Sequence, residues 1–324
     1  MESGPDIAVV IPSHDRPLRL RWLLNALAEQ TLARDRFEVV VGHDSSGAET
    51  AELLATHPLA EAGVLRSVAL QPGTAPPGRN RNAAWREARA PVIAFTDDDC
   101  RPPPEWLERA LAAARAHPGA IVQGATQPDP DEHNVGLYAP YVMTQSIRPP
   151  RPWAQACNIV YPRDVLDRLG GFPEDMHVGE DTALAESAKA IGVRYVGAKE
   201  VVTRHAVEER PMVSHVLAAR RWRGLPLLLA RHPRLHAEFP LYRFFIREHI
   251  WLPPALMGIA LQRRSRLWAA LAIPYLVHAT PRKYGNQPRA RLRALLELPG
   301  LAVIHAAEIA SLAWGSIRHR SLFL

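Results

Sequence analysis

Short apolar runs alternate with segments of helical periodicity along the first part of the chain. The apolar runs have the length and composition of buried strands, and they predict strands at residues 7–11, 37–41, 64–70, 92–95 and 120–124. Between them, apolar positions three and four residues apart predict helices at 18–30, 48–56, 79–89 and 103–116. Strands that alternate with helices indicate an α/β fold with a mostly parallel, Rossmann-like sheet, because parallel strands need crossover connections.

The pattern changes after residue 124. Residues 128–152 are polar and rich in proline, which predicts a long surface loop, and loops of that length are often functional. A second α/β stretch follows, with helices predicted at 163–169 and 181–191 and strands at 193–196 and 201–204. From Pro211 onward the pattern is helical only.

The helical tail contains two uncharged runs, 250–261 and 267–277, which are interrupted by prolines. Neither approaches the roughly 20 residues that span a bilayer. The arginines that would rim their apolar faces are Arg263, Arg264, Arg266, Arg282 and Arg291. This pattern favours helices that lie at a membrane surface, with arginines at the lipid headgroups. The alternative is a buried helical hairpin that packs on the rest of the protein.

The formal charge of +6 is unevenly distributed over the 324 residues. Residues 1–203 hold 20 Lys and Arg against 27 Asp and Glu, whereas residues 204–324 hold 19 against 6. The basic tail predicts a negatively charged partner, and it lacks any finger, RNP or basic-zipper pattern, so we expect an anionic membrane and no nucleic acid. The two cysteines follow no metal-ligand spacing, and we expect no signal peptide and a reducing compartment.

Three consecutive aspartates, Asp97, Asp98 and Asp99, follow the predicted strand at 92–95. In an extended segment, Asp97 and Asp99 would point to one side and Asp98 to the other. Two carboxylates on one side repel each other unless a cation or hydrogen bonds satisfy them. Mg²⁺ or Mn²⁺, which also bridge to phosphates, suit such oxygen ligands. The alternative is a polar loop that caps the following helix.

Other nucleotide-binding and catalytic patterns are missing from the sequence. The turn after the first predicted strand has no G-x-G-x-x-G, and no G-x-x-x-x-G-K-[ST] occurs in the chain. Ser13, His14 and Asp15 are adjacent, and adjacent residues cannot form a catalytic triad by themselves.

An ordered set of motifs resembles family 2 glycosyltransferases over about residues 7–206. The motifs are V-V-I-P-S-H-D-R-P at 9–17, F-E-V-V-V at 37–41 with Asp44 and Ser46, G-R-N-R at 78–81, F-T-D-D-D at 95–99, G-G-F at 170–172 and G-E-D-T at 179–182. The resemblance implies a GT-A fold. It implies a catalytic domain at 1–206, with a nucleotide-binding half at 1–124 and an acceptor half at 125–206. The helical pattern and the basic charge of residues 207–324 predict a membrane-associating C-terminal region.

The resemblance also implies roles for individual side chains toward a nucleotide-sugar donor. Asp97 and Asp99 would ligate Mg²⁺ or Mn²⁺, with His205 as a further ligand; the alternative for His205 is a satisfied polar residue at a strand end. The implied donor-binding residues are Pro12, His14, Asp15, Arg16, Asp44, Arg79, Asn80, Asp97 and Asp98. Arg79 and Asn80 open a predicted helix, where backbone N–H groups favour anions.

Glu180 and Asp181 would form the catalytic pair, with Asp181 as the base that removes the acceptor proton. A helix N-terminus lowers the pKa of a carboxyl group and burial raises it, and the sequence leaves both effects open. The alternative is simple helix capping. Arg221 and Trp222 are similar to an acceptor-binding element of processive members, but Ala218 stands in place of its glutamine, which favours transfer of a single sugar.

The resemblance implies an inverting glycosyltransferase that transfers a sugar from a nucleoside-diphosphate sugar to a hydroxyl acceptor. We expect the acceptor to be a saccharide, lipid-linked or part of the cell envelope. The expected location is cytoplasmic, peripherally associated with the inner face of the cell membrane. The alternatives are a nucleotidyltransferase that makes sugar nucleotides and a non-catalytic, membrane-associated binding protein of the same fold.

Overall fold

The computed structural model describes residues 4–73, 76–138, 141–280 and 288–324. Over these residues the strands are β1 (Ile7–Ser13), β2 (Phe37–His43), β3 (Leu65–Ala69), β4 (Val92–Thr96), β5 (Cys100–Arg101), β6 (Ile121–Pro128), β7 (Val142–Met143), β8 (Asn158–Pro162), β9 (Tyr195–His205) and β10 (Glu208–Glu209). The α-helices are α1 (Pro17–Ala28), α2 (Ala48–Thr56), α3 (Pro58–Glu61), α4 (Pro77–Glu87), α5 (Trp106–Ala116), α6 (His133–Tyr138), α7 (Arg163–Leu169), α8 (Glu180–Ala190), α9 (Met212–Ala218), α10 (Leu225–Arg231), α11 (Arg247–Leu261), α12 (Ile273–Ala279) and α13 (Pro288–His319). Segments of 3₁₀ helix are Arg34–Arg36, Pro130–Glu132, Ala219–Gly224, Pro233–Glu238, Pro240–Tyr242 and Arg266–Ala272.

The chain divides into two compact units. The first unit comprises Met1–Pro130 and Thr144–Ala206, and the second comprises Asp131–Met143 and Val207–Leu324. Part of the segment that we expected to be a loop of the acceptor half therefore belongs to the second unit. There it contributes α6 and β7, and β7 pairs antiparallel with β10.

The first unit is built on one sheet with the strand order β3-β2-β1-β4-β8-β6-β9-β5. The pairs β1–β2, β1–β4, β2–β3 and β6–β9 are parallel, whereas β8 runs antiparallel to β4 and β6, and β5 runs antiparallel to β9. The predicted α/β fold with a mostly parallel sheet is confirmed.

Two features of this sheet differ from the sequence prediction. The central strand β8 was not predicted, because its apolar stretch at 159–161 is only three residues long. The two strands expected at 193–196 and 201–204 form one strand, β9, whose register against β6 shifts between Gly124 and Ala125. This shift lets β9 continue to His205, opposite Cys100 of β5.

Helices cover both faces of the sheet. On one face, Val9 and Val39 pack with Leu24 of α1 and Trp106 of α5, all of them buried. On the other face, Phe95 of β4 contacts the rings of Tyr161 and Phe172 edge-on. Strands that are buried on both faces read as continuous apolar runs, which is why β1, β2 and β4 were visible in the sequence. The core fixes the ends of these strands, where the polar motifs lie.

The described part of the second unit is helical apart from the β7–β10 pair. Helices α11, α12 and α13 meet in an apolar cluster that includes Leu252, Tyr275 and Leu298. Other apolar side chains of these helices are exposed, such as Leu256 of α11 and Ile317 of α13, and Leu267 of the 3₁₀ segment Arg266–Ala272 is 84% exposed. Of the arginines expected to rim these helices, Arg282 and the side chain of Arg291 lie outside the described residues.

Helix α13 contains an apolar segment that is longer than the predicted runs at 250–261 and 267–277. Among the described residues, Leu292–His319 is the one segment long and apolar enough to cross a membrane by length and composition. Of its most apolar window, 39% is buried within the protein. A helix of this kind is weak support for a membrane span, because the core helix of a soluble protein can have the same composition.

Candidate active site

The three aspartates lie in a tight turn at the carboxyl end of β4. The backbone N–H of Cys100 donates to the carbonyl oxygen of Asp97 at 3.0 Å, which closes the turn. The alternation expected for an extended segment is therefore wrong here. Asp97 contacts Arg81, whereas Asp98 and Asp99 both contact Arg16.

Asp98 points into the protein. Its Oδ2 accepts a hydrogen bond from Ser13 Oγ at 2.9 Å, and the residue is buried. Burial and the neighbouring charge of Asp99 raise the pKa of Asp98 to about 7, against the opposing effects of Arg16 and Ser13. Arg16 Nη1 lies 3.0 Å from Asp99 Oδ2 and 3.7 Å from Asp98 Oδ1.

His205 lies beside Asp99 because β5 and β9 are paired there. Backbone pairing places Cys100 opposite His205, and the N–H of Ala206 donates to the carbonyl oxygen of Asp99 at 2.9 Å. His205 Nε2 is 3.5 Å from Asp99 Oδ1. His205 Nδ1 is 2.9 Å from the carbonyl oxygen of Ala206. A carbonyl only accepts, so Nδ1 is the donor, and in the neutral ring Nε2 carries the lone pair that faces Asp99.

This pair has the donor atoms that a divalent cation uses. A carboxylate oxygen and an imidazole lone pair that face each other fit a cation between them, and the hydrogen bond at Nδ1 is the usual support for a ligating histidine. Over the described residues, no group of three or more His, Cys, Asp and Glu side chains has the geometry of a complete metal site. A cation that also binds substrate phosphates takes only part of its ligands from protein side chains.

A second polar cluster surrounds Asp44, which follows β2 and is 1% exposed. Its Oδ1 lies 3.1 Å from His14 Nδ1 and accepts a hydrogen bond from Asn80 Nδ2 at 2.8 Å. Asn80 Nδ2 also approaches the carbonyl oxygen of Ser13 at 3.3 Å. The buried Oδ1 of Asn80 has no hydrogen-bond partner among the described residues. Since a buried amide oxygen normally accepts a hydrogen bond, a ligand donor is a natural partner for it.

Asp15 has a different role from its neighbours. It has a φ of 48°, and its carboxylate accepts hydrogen bonds from Ser46 N at 2.7 Å and Ser46 Oγ at 2.8 Å. The hydrogen bond from the Ser46 backbone lowers the pKa of Asp15. Asp15 therefore ties the loop after β1 to the loop after β2. Pro12 is buried in β1, whereas Arg79 is exposed in the first turn of α4.

Asp181 lies in the first turn of α8, which begins at Glu180 after Gly179 with φ 78°. Asp181 Oδ2 accepts from the N–H of Ala156 at 3.2 Å, and Oδ1 accepts from the N–H of Thr182 at 2.7 Å. Burial and the charge of Glu180 nevertheless raise the pKa of Asp181 to about 7. The helix N-terminus and burial act on this pKa in opposite directions, and the effect of burial is the larger.

Arg81 is the site residue that sequence reasoning missed. Its Nη2 donates to Asp97 Oδ1 at 2.7 Å and its Nη1 donates to Glu180 Oε1 at 2.8 Å. These carboxylates, which flank a buried guanidinium, raise the pKa of Arg81 above its usual value. The G-R-N-R motif contains Arg81, but the motif alone does not reveal which acidic residues it meets.

The Gly170-Gly171-Phe172 turn packs against α4. Asn82 Oδ1 accepts from the backbone N–H of Phe172 at 2.9 Å, and Asn82 Nδ2 donates to the carbonyl oxygen of Phe172 at 2.8 Å. Gly171 has a φ of 89°, and a Cβ there would lie 2.3 Å from Asn82 Oδ1. This glycine is therefore required by both backbone conformation and space.

Arg221 and Trp222 belong to the second unit, in the 3₁₀ segment Ala219–Gly224. The Arg221 guanidinium carbon lies 4.5 Å from the centroid of the Trp222 ring, and the rings of Trp222 and Phe245 are 4.5 Å apart. The indole is thus packed between an arginine and a phenylalanine. The remaining predicted site residues all belong to the first unit.

The known proteins to which this chain is similar are glycosyltransferases. A family model described as Glycosyl transferase family 2 matches residues 8–170, half of the chain. Glycosyltransferase AglE of Haloferax volcanii is 24% identical over 206 residues, which cover 62% of this chain and 67% of that protein. Validoxylamine A glucosyltransferase of Streptomyces hygroscopicus subsp. jinggangensis is 27% identical over 248 residues, with 65% of this chain and 58% of that protein covered. The chain thus spans about two thirds of the first relative and just over half of the second.

Solved structures show the same fold. Mannosyltransferase PcManGT from Pyrobaculum calidifontis, in complex with GDP-Man and Mn²⁺, has a TM-score of 0.58 at 23% identity over 98% of this chain and 88% of its own. A segment of Staphylococcus aureus TarS in complex with UDP-GlcNAc has a TM-score of 0.52 at 17% identity, with 98% and 92% covered. At this level of identity the similarity establishes the GT-A fold.

Proposed function

The chain belongs to glycosyltransferase family 2, and from this premise we propose that it transfers one sugar from a nucleoside-diphosphate sugar to a hydroxyl acceptor, with inversion at the anomeric carbon and assistance from Mg²⁺ or Mn²⁺. The observation that carries the proposal is the shared buried arginine between the aspartate turn and the first turn of α8. This arginine joins the turn that would hold the cation for the diphosphate to the helical turn that carries Asp181, which supports a single site for donor and acceptor.

Asp99 and His205 would hold the divalent cation, together with Asp97. The support is the contact between Asp99 Oδ1 and His205 Nε2, together with the hydrogen bond that leaves Nε2 available as a ligand. When bound, the cation supplies charge neutralisation for the departing nucleoside diphosphate. The solved PcManGT structure contains Mn²⁺ together with GDP-Man, which supports the use of a divalent cation.

The loops after β1 and β2 would bind the nucleoside. Asp44, fixed by His14 and Asn80, would accept hydrogen bonds from the base or ribose, and Asn80 Oδ1 would accept another. Arg16 and Arg79 would contact the diphosphate, because guanidinium groups match phosphate oxygens. Pro12, Asp15 and Asp98 would shape this pocket: Pro12 lies in β1, Asp15 holds the two loops together, and Asp98 anchors Ser13.

Asp181 would act as the catalytic base. Its carboxylate oxygens are oriented by the N–H groups of Ala156 and Thr182, and its pKa of about 7 suits proton removal near neutral pH. The acceptor oxygen would attack the anomeric carbon from the face opposite the diphosphate as its proton passes to Asp181. Glu180, paired with Arg81, would fix the position of this turn of the helix.

The acceptor is proposed to be a lipid-linked or cell-envelope saccharide. Arg221 and Trp222, the acceptor contacts implied by the family resemblance, lie in the second unit, where the Trp222 ring packs against Arg221 and Phe245. Ala218 stands in place of the glutamine of the processive element, which supports a single transfer. One relative, TarS of Staphylococcus aureus, is described as a poly(ribitol-phosphate) beta-N-acetylglucosaminyltransferase, and this name gives poly(ribitol-phosphate) as the acceptor of that protein.

The second unit would hold the enzyme at an anionic membrane, at the cytoplasmic face. Large apolar side chains are exposed on α11, on the 3₁₀ segment Arg266–Ala272, on α12 and on α13; examples are Leu256, Met257, Leu267, Trp268, Ile273, Val277, Leu296 and Ile317. Contiguous apolar patches larger than a few hundred Å² are rare on soluble monomers. With Arg263, Arg264 and Arg266 beside it, the surface has the composition of an interfacial membrane contact. We propose the functional division at residues 206 and 207, with catalysis in the first part and membrane contact in the second.

A donor screen tests the proposed activity. The purified chain is incubated with Mn²⁺ or Mg²⁺ and a panel of nucleotide sugars, and thermal stabilisation and slow donor hydrolysis are measured. We expect one donor to stabilise the protein only when metal is present. Release of pyrophosphate from a sugar phosphate and a nucleoside triphosphate would instead identify a nucleotidyltransferase. Donor binding without hydrolysis or transfer to any acceptor would identify a binding protein.

A further inference from the structure

We propose that Arg81 is a positioning residue for the transfer reaction, which holds Asp97 and Glu180 at a fixed separation and thereby aligns the donor-binding turn with Asp181. The inference rests on the proposed function and deepens it. Arg81 does not contact the reacting atoms in this scheme, and it acts through the two carboxylates that it joins.

The contacts of Arg81 are those of a fixed bridge. Its side chain is 6% exposed, and its two terminal nitrogens donate to Asp97 Oδ1 at 2.7 Å and to Glu180 Oε1 at 2.8 Å. Glu180 is itself buried. The guanidinium carbon also lies 5.5 Å from the centroid of the Phe172 ring. Charge, hydrogen bonding and packing thus hold the guanidinium in one orientation.

The helix that carries Arg81 is itself fixed by close approaches. A Cβ on Gly42 of β2 would lie 2.1 Å from the carbonyl oxygen of Asn80, so α4 contacts the sheet directly. A Cβ on Gly78 would lie 3.0 Å from Phe172 Cβ and 3.3 Å from Glu180 Cγ. Gly78 and Arg81 are three residues apart and share one face of α4. The backbone position from which Arg81 reaches its partners therefore has little freedom.

An arginine is needed at this position because two carboxylates must be held at once. The planar guanidinium presents donors in a rigid fork, whereas a lysine ammonium is a single point charge on a flexible chain. With lysine, one of the two partners would be free to move. A displacement of about 1 Å at a reacting centre can lower a rate by about 100-fold. The donor would still bind through the other residues of its pocket.

The test compares Arg81→Lys, the double variant Arg81→Met with Glu180→Gln, and Arg86→Met as a matched control. The double variant removes both charges of the buried Arg81–Glu180 pair, so that neither of these two is left unpaired, while the more exposed Asp97 loses its contact with the arginine. Arg86 lies on the same helix but is exposed and contacts Glu174 at 3.5 Å. For each protein, donor affinity is measured by calorimetry with Mn²⁺, turnover is measured at saturating substrates, and the fold is checked by thermal unfolding.

We expect Arg81→Lys and the double variant to lower kcat by about 100-fold while the Kd of the donor changes by less than about threefold. Arg86→Met should match the wild type. A kcat within threefold of the wild type in Arg81→Lys would overturn the inference, as would equal losses in kcat and donor affinity. If Arg81→Lys does not fold, the double variant decides by the same criteria. A wild type that neither binds a donor nor transfers sugar would overturn the proposed function itself, which separates the two failures.

Discussion

His205 Nε2 faces Asp99 Oδ1 at 3.5 Å, and the backbone pairing of β5 with β9 holds the two residues together. They are far apart in sequence, and their contact joins the end of β9 to the aspartate turn after β4. The hydrogen bond from His205 Nδ1 to the carbonyl oxygen of Ala206 fixes the ring so that its other nitrogen is directed at the carboxylate. This arrangement motivates the first prediction.

Replacement of His205 by alanine should weaken Mn²⁺ binding in the presence of donor by about tenfold or more, because a ligand atom is lost. Calorimetric titration of Mn²⁺ into the protein with saturating donor measures the effect. His117→Ala, at the end of α5, serves as the control and should leave the titration unchanged. Identical Mn²⁺ affinities in His205→Ala and the wild type would mean that His205 is a polar strand end and not a ligand.

Asp99→Ala and Asp181→Asn should separate donor binding from turnover. We expect Asp99→Ala to abolish metal-dependent donor binding, because its carboxylate acts on the diphosphate in ground and transition state alike. Asp181→Asn should keep the donor affinity and lose kcat by about 100-fold or more, because a general base acts only on the acceptor proton. Calorimetry and steady-state kinetics on the same preparations measure both quantities. Equal loss of donor binding in the two variants would disprove the assignment of Asp181 as base.

The rate should depend on pH through Asp181. Burial raises its pKa to about 7, so the carboxylate becomes protonated as the pH falls through 7 and can no longer accept a proton. The kcat/KM for the acceptor should therefore decline about tenfold per pH unit below this value. Donor affinity, measured over the same range, separates this effect from titration near the diphosphate. A flat kcat/KM profile between pH 5.5 and 8 would contradict the prediction.

Two adjacent glycines offer a matched test of the turn after α7. Both have positive φ, but a Cβ on Gly170 would meet nothing within 4 Å, whereas one on Gly171 would lie 2.3 Å from Asn82 Oδ1. Gly170→Ala should cost about 1 kcal/mol of unfolding free energy from backbone strain alone. Gly171→Ala should cost about 3 kcal/mol, because Asn82 must also give up its hydrogen bonds to Phe172. Urea unfolding measures the difference, and equal costs would show that Asn82 adapts freely.

The exposed helices of the second unit should bind anionic liposomes. Binding should weaken as salt rises, since the attraction of the arginines is screened. Removal of three positive charges by Arg263→Gln, Arg264→Gln and Arg266→Gln should reduce partitioning by about 100-fold, at about 1 kcal/mol for each charge.

Leu267→Glu, on the most exposed apolar side chain of this surface, should reduce liposome binding as well. Ile191→Glu, which alters an exposed apolar residue of the first unit, is the control. If the full-length chain does not bind anionic liposomes at low salt, these helices have another role. Co-sedimentation with vesicles of defined composition measures all of these variants.

The sequence by itself determined the class of fold and the candidate chemistry. The periods of the apolar residues locate β1, β2 and β4 and the helices between them, because each pattern reflects burial of a single element. The ordered motifs at the ends of these elements resemble those of family 2 glycosyltransferases, and this resemblance suggests Asp99 as a metal ligand and Asp181 as the base.

The strand order of the sheet, the contacts of the site residues and the pKa of Asp181 depend on parts of the chain that are distant in sequence. The pairing of β8 between β4 and β6, the bridge from Arg81 to Asp97 and Glu180, and the approach of His205 to Asp99 all join residues that are far apart in sequence. The direction of the pKa shift of Asp181 likewise depends on burial by the surrounding structure, which outweighs the helix N-terminus that the sequence makes visible. Local patterns carry no information about such contacts, because their energies arise only when the folded chain brings the groups together and removes them from water.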